Sequence, residues 1–377
     1  MNKVTVGIVG AGRGTQLHCM AYAKVYGIAV RLKSLFSKTP EHAQKAKEAY
    51  GIEQTVSAYD DLLNDPEIDV IDICTPPYIH KEMIIQALNH GKHVICEKPL
   101  CGYFGDGSTN KQLMYDSVLK DLDDLDDAIK KSGKSFMYAE NFIYAPAITK
   151  AAEIIKAKGS KILYAKGEES LAGSSSPVAG YWKTNGGGTL MRVGSHPLGA
   201  VVWLKNRLNN AHVTSVLADI SAVTTHLTDY EHRHIQSHPV DVEDIATVCL
   251  TFSDNTKAVI MACDTRLGGS LNYVDLYCND AMLECKLTMH NAMSTYLLDE
   301  DGMQNVEISE MLRTKLGWNN PFISDEILRG YTGEMQDFME SVAYGRKPMS
   351  DYEVAKQTTK VMYAAYLSAW KNERVKL

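Results

Sequence analysis

The sequence contains no long apolar run. No stretch approaches the roughly 20 residues that a helix needs to cross a bilayer, so no membrane-spanning segment is predicted. The chain starts MNKVTVGIVGAGRG, which leads from one lysine into a β-branched run and shows no signal-peptide cleavage pattern. We therefore expect a cytoplasmic protein.

The sequence also lacks an excess of positive charge and a cysteine framework. Its net charge of −7 argues against nucleic acid or an anionic membrane surface as the main partner. The eight cysteines are scattered and form no CxxC pair, so neither a disulfide framework nor a zinc ribbon is predicted. With 45% apolar and 23% charged residues the composition is that of an ordinary globular protein, and we expect a small-molecule partner.

The length of 377 residues exceeds what one core usually serves, which indicates two domains. Strand-like and helical stretches alternate over the first hundred residues, and SFMYAENFIYAP adds a strand, so we predict a doubly wound parallel sheet. From about residue 160 strand-like runs follow one another across tight turns, as in an antiparallel sheet. We therefore predict an α/β domain at 1–145 and an α+β domain at 146–377, whose last helices can pack back on the first domain.

Glycines occupy the first turn after the first strand, in GIVGAGRGTQLH. Gly10 and Gly12 would allow a tight turn and bring the backbone close to a pyrophosphate at a helix N-terminus. The GxGxxG pattern is incomplete, because Thr15 holds the third glycine position and Gly14 comes one residue early. The place of this turn, at the start of an alternating pattern, favours dinucleotide binding.

The end of the second strand bears on the choice of dinucleotide. An NAD-preferring protein usually carries an acidic residue there, whereas this chain has Ser37 and Lys38. A hydroxyl and a positive charge favour NADP and leave NAD open. The alternative interpretation is that Lys38 is an ordinary surface lysine.

Five motifs, in order along the chain, carry a family resemblance: TPP with the following His80, GKHVICEKP, ENFIYAP, GGGTLMRVGSHP and GYTGEMQDFMESVAYGRKP. Together they resemble the glucose-fructose oxidoreductase/inositol dehydrogenase superfamily, Gfo/Idh/MocA. The resemblance implies a Rossmann domain, a second domain whose open, mainly antiparallel sheet walls the active site and commonly forms homodimers or homotetramers, and NAD or NADP as cofactor. The implied cofactor contacts are Gly10, Gly12, Arg13, Gly14, Thr15, Ser37, Lys38, Thr75, Pro76, His80, Glu97, Lys98, Trp182 and Lys183.

Oxidising a secondary alcohol of a sugar or polyol requires a base and a group that stabilises the substrate oxygen. Within the matching motifs, Lys98 is the candidate for orienting the hydroxyl and His196 the candidate acid or base. Composition alone would make them a surface lysine and a satisfied core histidine.

One position departs from the family pattern. Most dehydrogenases of the superfamily carry an aspartate four residues before the histidine, where this chain has Arg192, and a further acid three residues after it, where this chain has Gly199. A guanidinium suits an anionic group, so one hypothesis is an anionic sugar or sugar acid held by Arg192. The alternative is that Arg192 pairs with Glu168 or Glu169.

Three functional interpretations remain open. The first is an NAD(P)-dependent sugar, polyol or sugar-acid dehydrogenase. The second is a redox-neutral glycoside hydrolase that transiently oxidises its substrate with bound NAD, with Tyr144 or Tyr181 as a further acid or base and substrate contact. The third is a cofactor-binding regulator without catalysis. Although His232, His234 and His238 lie close together in the sequence, we expect no metal site.

Overall fold

The computed structural model describes residues 2–288, 295–301, 314–319 and 327–377. Six parallel strands form the first sheet, in the order β3-β2-β1-β4-β5-β6. They are β1 (Asn2–Val9), β2 (Ile28–Phe36), β3 (Gln54–Val56), β4 (Val70–Ile73), β5 (His93–Glu97) and β6 (Phe136–Ala139). This strand order is that of a dinucleotide-binding Rossmann sheet, so the predicted fold class of the first half is confirmed.

Helices connect these strands. They are α1 (Arg13–Tyr22), α2 (Pro40–Tyr50), α3 (Tyr59–Leu63), α4 (His80–Asn89) and α5 (Lys111–Ser132). The sequence pattern did not indicate β3 and α3, because three and five residues are too few to show a periodicity.

Seven strands form the second sheet, in the order β12-β11-β7-β10-β9-β8-β15. They are β7 (Ile162–Ser170), β8 (Val213–Ser221), β9 (Ile245–Phe252), β10 (Lys257–Cys263), β11 (Leu271–Cys278), β12 (Met282–Lys286) and β15 (Val375–Lys376). Only the β7–β10 pair of this sheet is parallel, so the expectation of a mainly antiparallel sheet is confirmed. A separate antiparallel pair joins β13 (Thr295–Leu297) and β14 (Gly317–Asn319).

The remaining α-helices are α6 (Pro146–Lys158), α7 (Trp182–Asn185), α8 (Ser195–Asn209), α9 (Asp229–His232), α10 (Tyr331–Tyr344) and α11 (Tyr352–Lys371). Four of these, α6, α8, α10 and α11, pack on strands of the two sheets. The two last helices return to the first half of the chain, where α10 packs on α1 and α11 packs on α5. Among the described residues no helix combines the length and the apolar character needed to cross a membrane.

Several candidate site residues lie at the carboxyl edge of the parallel sheet. The carboxyl ends of β1, β4, β5 and β6 are followed by Gly10, Cys74, Lys98 and Glu140 in turn. Ligands of open α/β sheets bind at this edge, close to the point where the strand order reverses between β1 and β4. This edge is therefore where a functional site is expected.

Candidate active site

The turn after β1 is shaped for a close approach of its backbone. Gly10 has a φ of +104°, and a Cβ at this position would lie 2.3 Å from the Cys74 carbonyl oxygen. The turn is held by the Thr15 hydroxyl, which donates to the Gly10 carbonyl at 2.9 Å. Helix α1 then begins at Arg13 with no side-chain cap from Gly12, and nothing lies within 4 Å of a Cβ placed on Gly12. Uncapped first-turn amides beside open space fit the pyrophosphate of a dinucleotide.

The end of β2 presents the two residues expected near the cofactor ribose. Ser37 is half-buried and its hydroxyl accepts a hydrogen bond from the Thr39 amide at 3.3 Å. Lys38 is exposed.

His80 connects two main-chain segments next to the site. It is fully buried at the start of α4, with Nδ1 2.9 Å from the Pro99 carbonyl oxygen and Nε2 2.9 Å from that of Thr75. Burial lowers the pKa of His80, and its hydrogen bonds to these two carbonyls oppose that shift. We therefore correct the sequence-based assignment: His80 ties the Thr75–Pro76 segment to the end of β5, and its ring is not available to a cofactor.

Glu97 connects the glycine turn to a buried ion-pair network that sequence reasoning missed. Its Oε1 lies 3.3 Å from Nε2 of His18, and Nδ1 of His18 lies 3.0 Å from Asp72. The Tyr22 hydroxyl also donates to Asp72, at 2.9 Å. Burial alone would lower the pKa of His18, but the Asp72 charge raises it well above its ordinary value.

The same network sets the pKa of the Glu97 carboxyl. Burial would raise the pKa of this carboxyl, but its hydrogen bond to His18 and the charge of His18 lower it. Its Oε1 would lie 3.2 Å from a Cβ on Gly14, which explains a glycine there. Although donor atoms of His18, Asp72 and Cys74 lie within 4.8 Å of one another, we assign them to this network because Asp72 already serves His18 and Tyr22.

Lys98 connects the end of β5 to the segment that precedes α8. Its ammonium donates a hydrogen bond to the main-chain carbonyl of Arg192, and three carboxyls, those of Glu97, Glu169 and Glu140, act on its charge. Burial lowers the pKa of Lys98, and the carboxyls oppose that shift. A lysine in such a setting can exchange a proton more readily than one in water.

The glycine run before Arg192 is a packing feature. Cβ atoms at Gly186, Gly187 and Gly188 would lie 2.9 Å from the Tyr363 hydroxyl, 2.1 Å from the Tyr366 hydroxyl and 1.9 Å from the Glu243 carbonyl oxygen respectively. The Glu243 carboxyl also accepts from the amides of Gly188 and Leu190, both at 2.9 Å. The run therefore lets the chain pass against α11 and Glu243 and sets the start of the segment that follows.

Arg192 lies in a π-helical turn, Leu190–Gly194, which leads into α8. Its guanidinium pairs with Asp264 at 2.5 Å, and the Asp264 side chain is only 2% exposed. The sequence-based alternative of a pair with Glu168 or Glu169 is wrong in its partner: Arg192 does turn to a carboxylate, but to one at the end of β10. Sequence reasoning missed Asp264 because 72 residues separate the pair.

His196 lies one turn later, at the start of α8, and is 4% exposed. Its Nδ1 lies 2.7 Å from Oε1 of Glu140, and its ring stacks on Phe142 with 4.9 Å between centroids. Burial, together with the charges of Lys98 and Arg329, lowers the pKa of His196 well below its ordinary value. Glu140 was not among the predicted site residues, although it follows β6 as Lys98 follows β5, and that position was the available signal.

Tyr144 does not face Lys98 and His196. Its hydroxyl donates to Asp337 at 2.7 Å and accepts from the Ser350 amide at 2.9 Å, so both of its hydrogen-bonding functions are used in holding α10. We therefore withdraw Tyr144 as a substrate contact.

Trp182 also has a packing role. Its indole N–H donates to the Tyr103 carbonyl at 2.9 Å and its buried ring packs on Tyr366, at 4.7 Å between centroids. This arrangement corrects its assignment as a cofactor contact. The neighbouring Lys183 is exposed, and its ammonium lies 5.4 Å from the centroid of the Tyr181 ring.

A cavity of about 350 Å³ opens beside Arg192 and Asp264. It is lined by segments 174–177, 179–181 and 237–240, with Val242 and Glu243 at one side. Tyr181, whose side chain is partly exposed, belongs to this lining. The cavity has the size of a site for a small molecule or part of one.

Two family models match the chain. The model of an oxidoreductase family with an NAD-binding Rossmann fold, GFO_IDH_MocA, matches residues 4–116, and the model of the GFO/IDH/MocA C-terminal domain matches residues 164–284. A levoglucosan dehydrogenase of Pseudarthrobacter phenanthrenivorans is 33% identical over 163 residues, which are 41% of this chain and 38% of that enzyme.

Solved structures of the same fold cover the chain from end to end. GenD2 from gentamicin A biosynthesis, in complex with NAD, has a TM-score of 0.80 at 19% identity, covering 100% of this chain and 97% of that one. The scyllo-inositol dehydrogenase of Lactobacillus casei, with NAD(H) and scyllo-inositol, has a TM-score of 0.74 at 19% identity, covering 100% and 99%. At these identities the likeness concerns the fold. The two family models carry the assignment further: the chain belongs to the Gfo/Idh/MocA oxidoreductase family.

Proposed function

We propose that the protein is a nicotinamide-dependent dehydrogenase of a secondary hydroxyl in a sugar or polyol. The observation that carries the proposal is the meeting of Lys98, from the end of β5, with the turn that leads into His196 on α8. A donor for the substrate oxygen and an acceptor for its proton thereby stand at the edge of the sheet where a dinucleotide fits. When bound, NAD or NADP would accept the hydride from the carbon that bears the hydroxyl.

The chain's own residues have separate tasks in this proposal. Lys98 holds the substrate oxygen and stabilises the negative charge that develops on it as the hydroxyl loses its proton. His196 takes that proton. Because its pKa is lowered, the imidazole is neutral before the reaction and has a nitrogen lone pair to accept it. The turn at Gly10 and Gly12 holds the dinucleotide phosphates, and burial of the site keeps water from competing.

The Arg192–Asp264 pair favours a neutral substrate. An anionic sugar would need the positive charge of Arg192, and a buried carboxylate 2.5 Å away already balances that charge. We therefore propose a neutral sugar or polyol in place of the sugar acid that the sequence favoured. Arg192→Ala assayed on a polyol and on the matching sugar acid distinguishes the two: a similar loss of kcat/KM for both is expected, and a loss confined to the acid would restore the anionic substrate.

Redox-neutral glycoside hydrolysis is a second candidate, favoured by the cavity beside Arg192, which has room for a group attached to the reacting sugar. One experiment separates the candidates. Purified protein, supplied with NAD or NADP and a panel of neutral polyols and glycosides, should form reduced nicotinamide in proportion to the oxidised product. Repeated cleavage of a glycoside without net reduced nicotinamide would favour the hydrolase, and nucleotide binding without turnover of any substrate would favour the regulator.

A further inference from the structure

We propose that Glu140 is the positioning residue of the proton transfer. In this role Glu140 holds Nδ1 of His196 and takes the proton from Nδ1 when Nε2 receives one from the substrate. The proposal rests on the proposed function, because it takes His196 as the group that accepts the hydroxyl proton. Four observations on the described residues carry it.

The first observation is the geometry of the dyad. Oε1 of Glu140 lies 2.7 Å from Nδ1 of His196, and both side chains are buried. Phe142 stacks on the imidazole with an angle of 21° between the ring planes, which fixes the ring while Glu140 fixes its rotation. Nε2 is then the ring nitrogen turned away from Glu140 and left for a substrate. A carboxyl that holds one nitrogen of a catalytic imidazole determines what the other nitrogen can do.

The second observation is the space that Gly199 leaves. A Cβ on Gly199 would lie 2.8 Å from Cγ and 3.1 Å from Oε2 of Glu140, so a side chain at 199 and the Glu140 carboxyl cannot occupy this position together. Glycine inside a helix costs roughly 1 kcal/mol relative to alanine, and no positive φ explains it here. Gly199 therefore leaves the space that the Glu140 carboxyl occupies.

The third observation is that Oε2 of Glu140 has no hydrogen-bond partner among the described residues. The ionised carboxyl therefore carries a charge that is only partly satisfied, and taking the proton from Nδ1 relieves it, because a neutral carboxyl tolerates one unpaired oxygen far better. Burial raises the pKa of Glu140 well above its ordinary value, although the charge of Lys98 opposes the shift. Glu334 on α10 and Glu169 on β7, the other carboxyls that act on Glu140, raise the pKa further.

The fourth observation is that the surroundings of His196 disfavour a positive charge on its imidazole. Burial and the charges of Lys98 and Arg329 lower the pKa of His196. A proton that enters at Nε2 would leave a buried imidazolium unless the Nδ1 proton moves on to Glu140. The hydroxyl proton therefore passes to Nε2, the Nδ1 proton passes to Oε1 of Glu140, and the electron pair of the C–H bond leaves with the hydride. The dyad gains one proton and carries no positive charge, unlike a Ser-His-Asp triad, in which the aspartate stays ionised.

Three variants test this role by activity. Glu140→Gln keeps the shape but cannot take the proton, so kcat for polyol oxidation should fall by roughly 10²-fold or more, KM should change little, and the rise of kcat with pH should disappear. Glu140→Ala should lose at least as much. Adding Gly199→Asp to Glu140→Ala places a carboxyl in the space that the Glu140 side chain leaves and should recover a large part of the lost rate. A Glu140→Gln enzyme with the wild-type rate and pH profile would overturn the proposal.

A measurement without substrate tests the pairing of Glu140 with His196 independently of the proposed function. Nitrogen-15 NMR of His196 should show its N–H on Nε2 at low pH, with Glu140 protonated, and on Nδ1 at high pH, with Glu140 ionised. In Glu140→Gln the tautomer should no longer change with pH. A His196 tautomer that is constant with pH in the wild type would refute the dyad even if Lys98→Met abolishes activity. A tautomer change in a protein that oxidises no polyol would refute the proposed function and leave the dyad standing.

Discussion

The Lys98 ammonium donates a hydrogen bond to the main-chain carbonyl of Arg192, which lies in the π-helical turn Leu190–Gly194. This turn leads directly into α8, which begins at Ser195 and carries His196. The hydrogen bond thereby ties the residue after β5 to the segment that positions the imidazole.

Lys98→Met should remove activity without removing the fold. The variant loses the charge that stabilises the substrate oxygen, so we expect kcat to fall by roughly 10²- to 10⁴-fold with NAD affinity little changed. Steady-state kinetics and a nucleotide titration measure the two effects. The matched control is Lys81→Met, which removes a lysine of α4 that pairs with Asp121 and Asp124 of α5. Near-wild-type turnover of Lys98→Met would show that the substrate oxygen is held by another group.

Gly12→Ala separates cofactor binding from stability. The added Cβ meets nothing in the protein, and Gly12 has a φ of −98°, which alanine adopts without strain. We therefore expect an unchanged melting temperature but an NAD affinity weakened about tenfold or more, because the methyl group occupies space that the pyrophosphate needs. Calorimetric titration and thermal unfolding measure both. Gly10→Ala is the contrasting variant and should lower the melting temperature, since its Cβ would clash with the Cys74 carbonyl. Undiminished NAD binding by Gly12→Ala would place the phosphates elsewhere.

Lys38→Asp tests the cofactor's phosphate. If the exposed Lys38 pairs with a 2′-phosphate, the substitution should reduce kcat/KM for NADP about tenfold and raise the preference for NAD, because a carboxylate repels the phosphate and accepts from a ribose hydroxyl. Lys45→Asp, with the same charge change on the exposed face of α2, should leave the ratio of the two cofactors unchanged. An unchanged ratio in Lys38→Asp would make Lys38 a surface lysine.

Repeating patterns made the fold predictable. The parallel sheet was expected from the alternation of strand-like and helical stretches, and it is found in the first half of the chain. The roles of Lys98 and His196 could be suggested because each lies in a recognisable motif. The partners of the site residues could not be predicted in the same way. Asp264 pairs with Arg192 and Glu140 with His196, and both contacts arise only in the tertiary packing of distant segments.

Glu169 should make stability depend on pH. Burial raises its pKa to about 7, despite the opposing charges of Arg329 and Lys98. A carboxyl whose pKa is higher in the folded than in the unfolded chain stabilises the fold below its unfolded pKa, and that stabilisation is lost as pH rises through 7. Glu169→Gln should therefore raise the free energy of unfolding by up to about 3 kcal/mol at pH 8 and by little at pH 4. Thermal unfolding from pH 4 to pH 9 provides the test, and an effect that is equal at all pH values would contradict the assignment.

The outer face of the second sheet is the expected site of self-association. Cys249, Val259, Met261 and Tyr273 lie half-exposed on β9, β10 and β11, and the strand register places Cys249 directly opposite Val259. Side chains alternate along these strands, so every second residue lies on the buried face and these four lie on the outer one. Polar residues such as Thr247 and Asp275 share the outer face, which is therefore apolar only in part, as oligomer interfaces commonly are. Light scattering should give a mass of two or four chains for the wild type and of one chain for Val259→Arg combined with Met261→Arg. Leu113→Arg, an exposed leucine of α5, is the control and should leave the assembly intact. A wild-type mass of one chain would remove the role of this face in assembly, and an assembled double variant would move the interface to another surface.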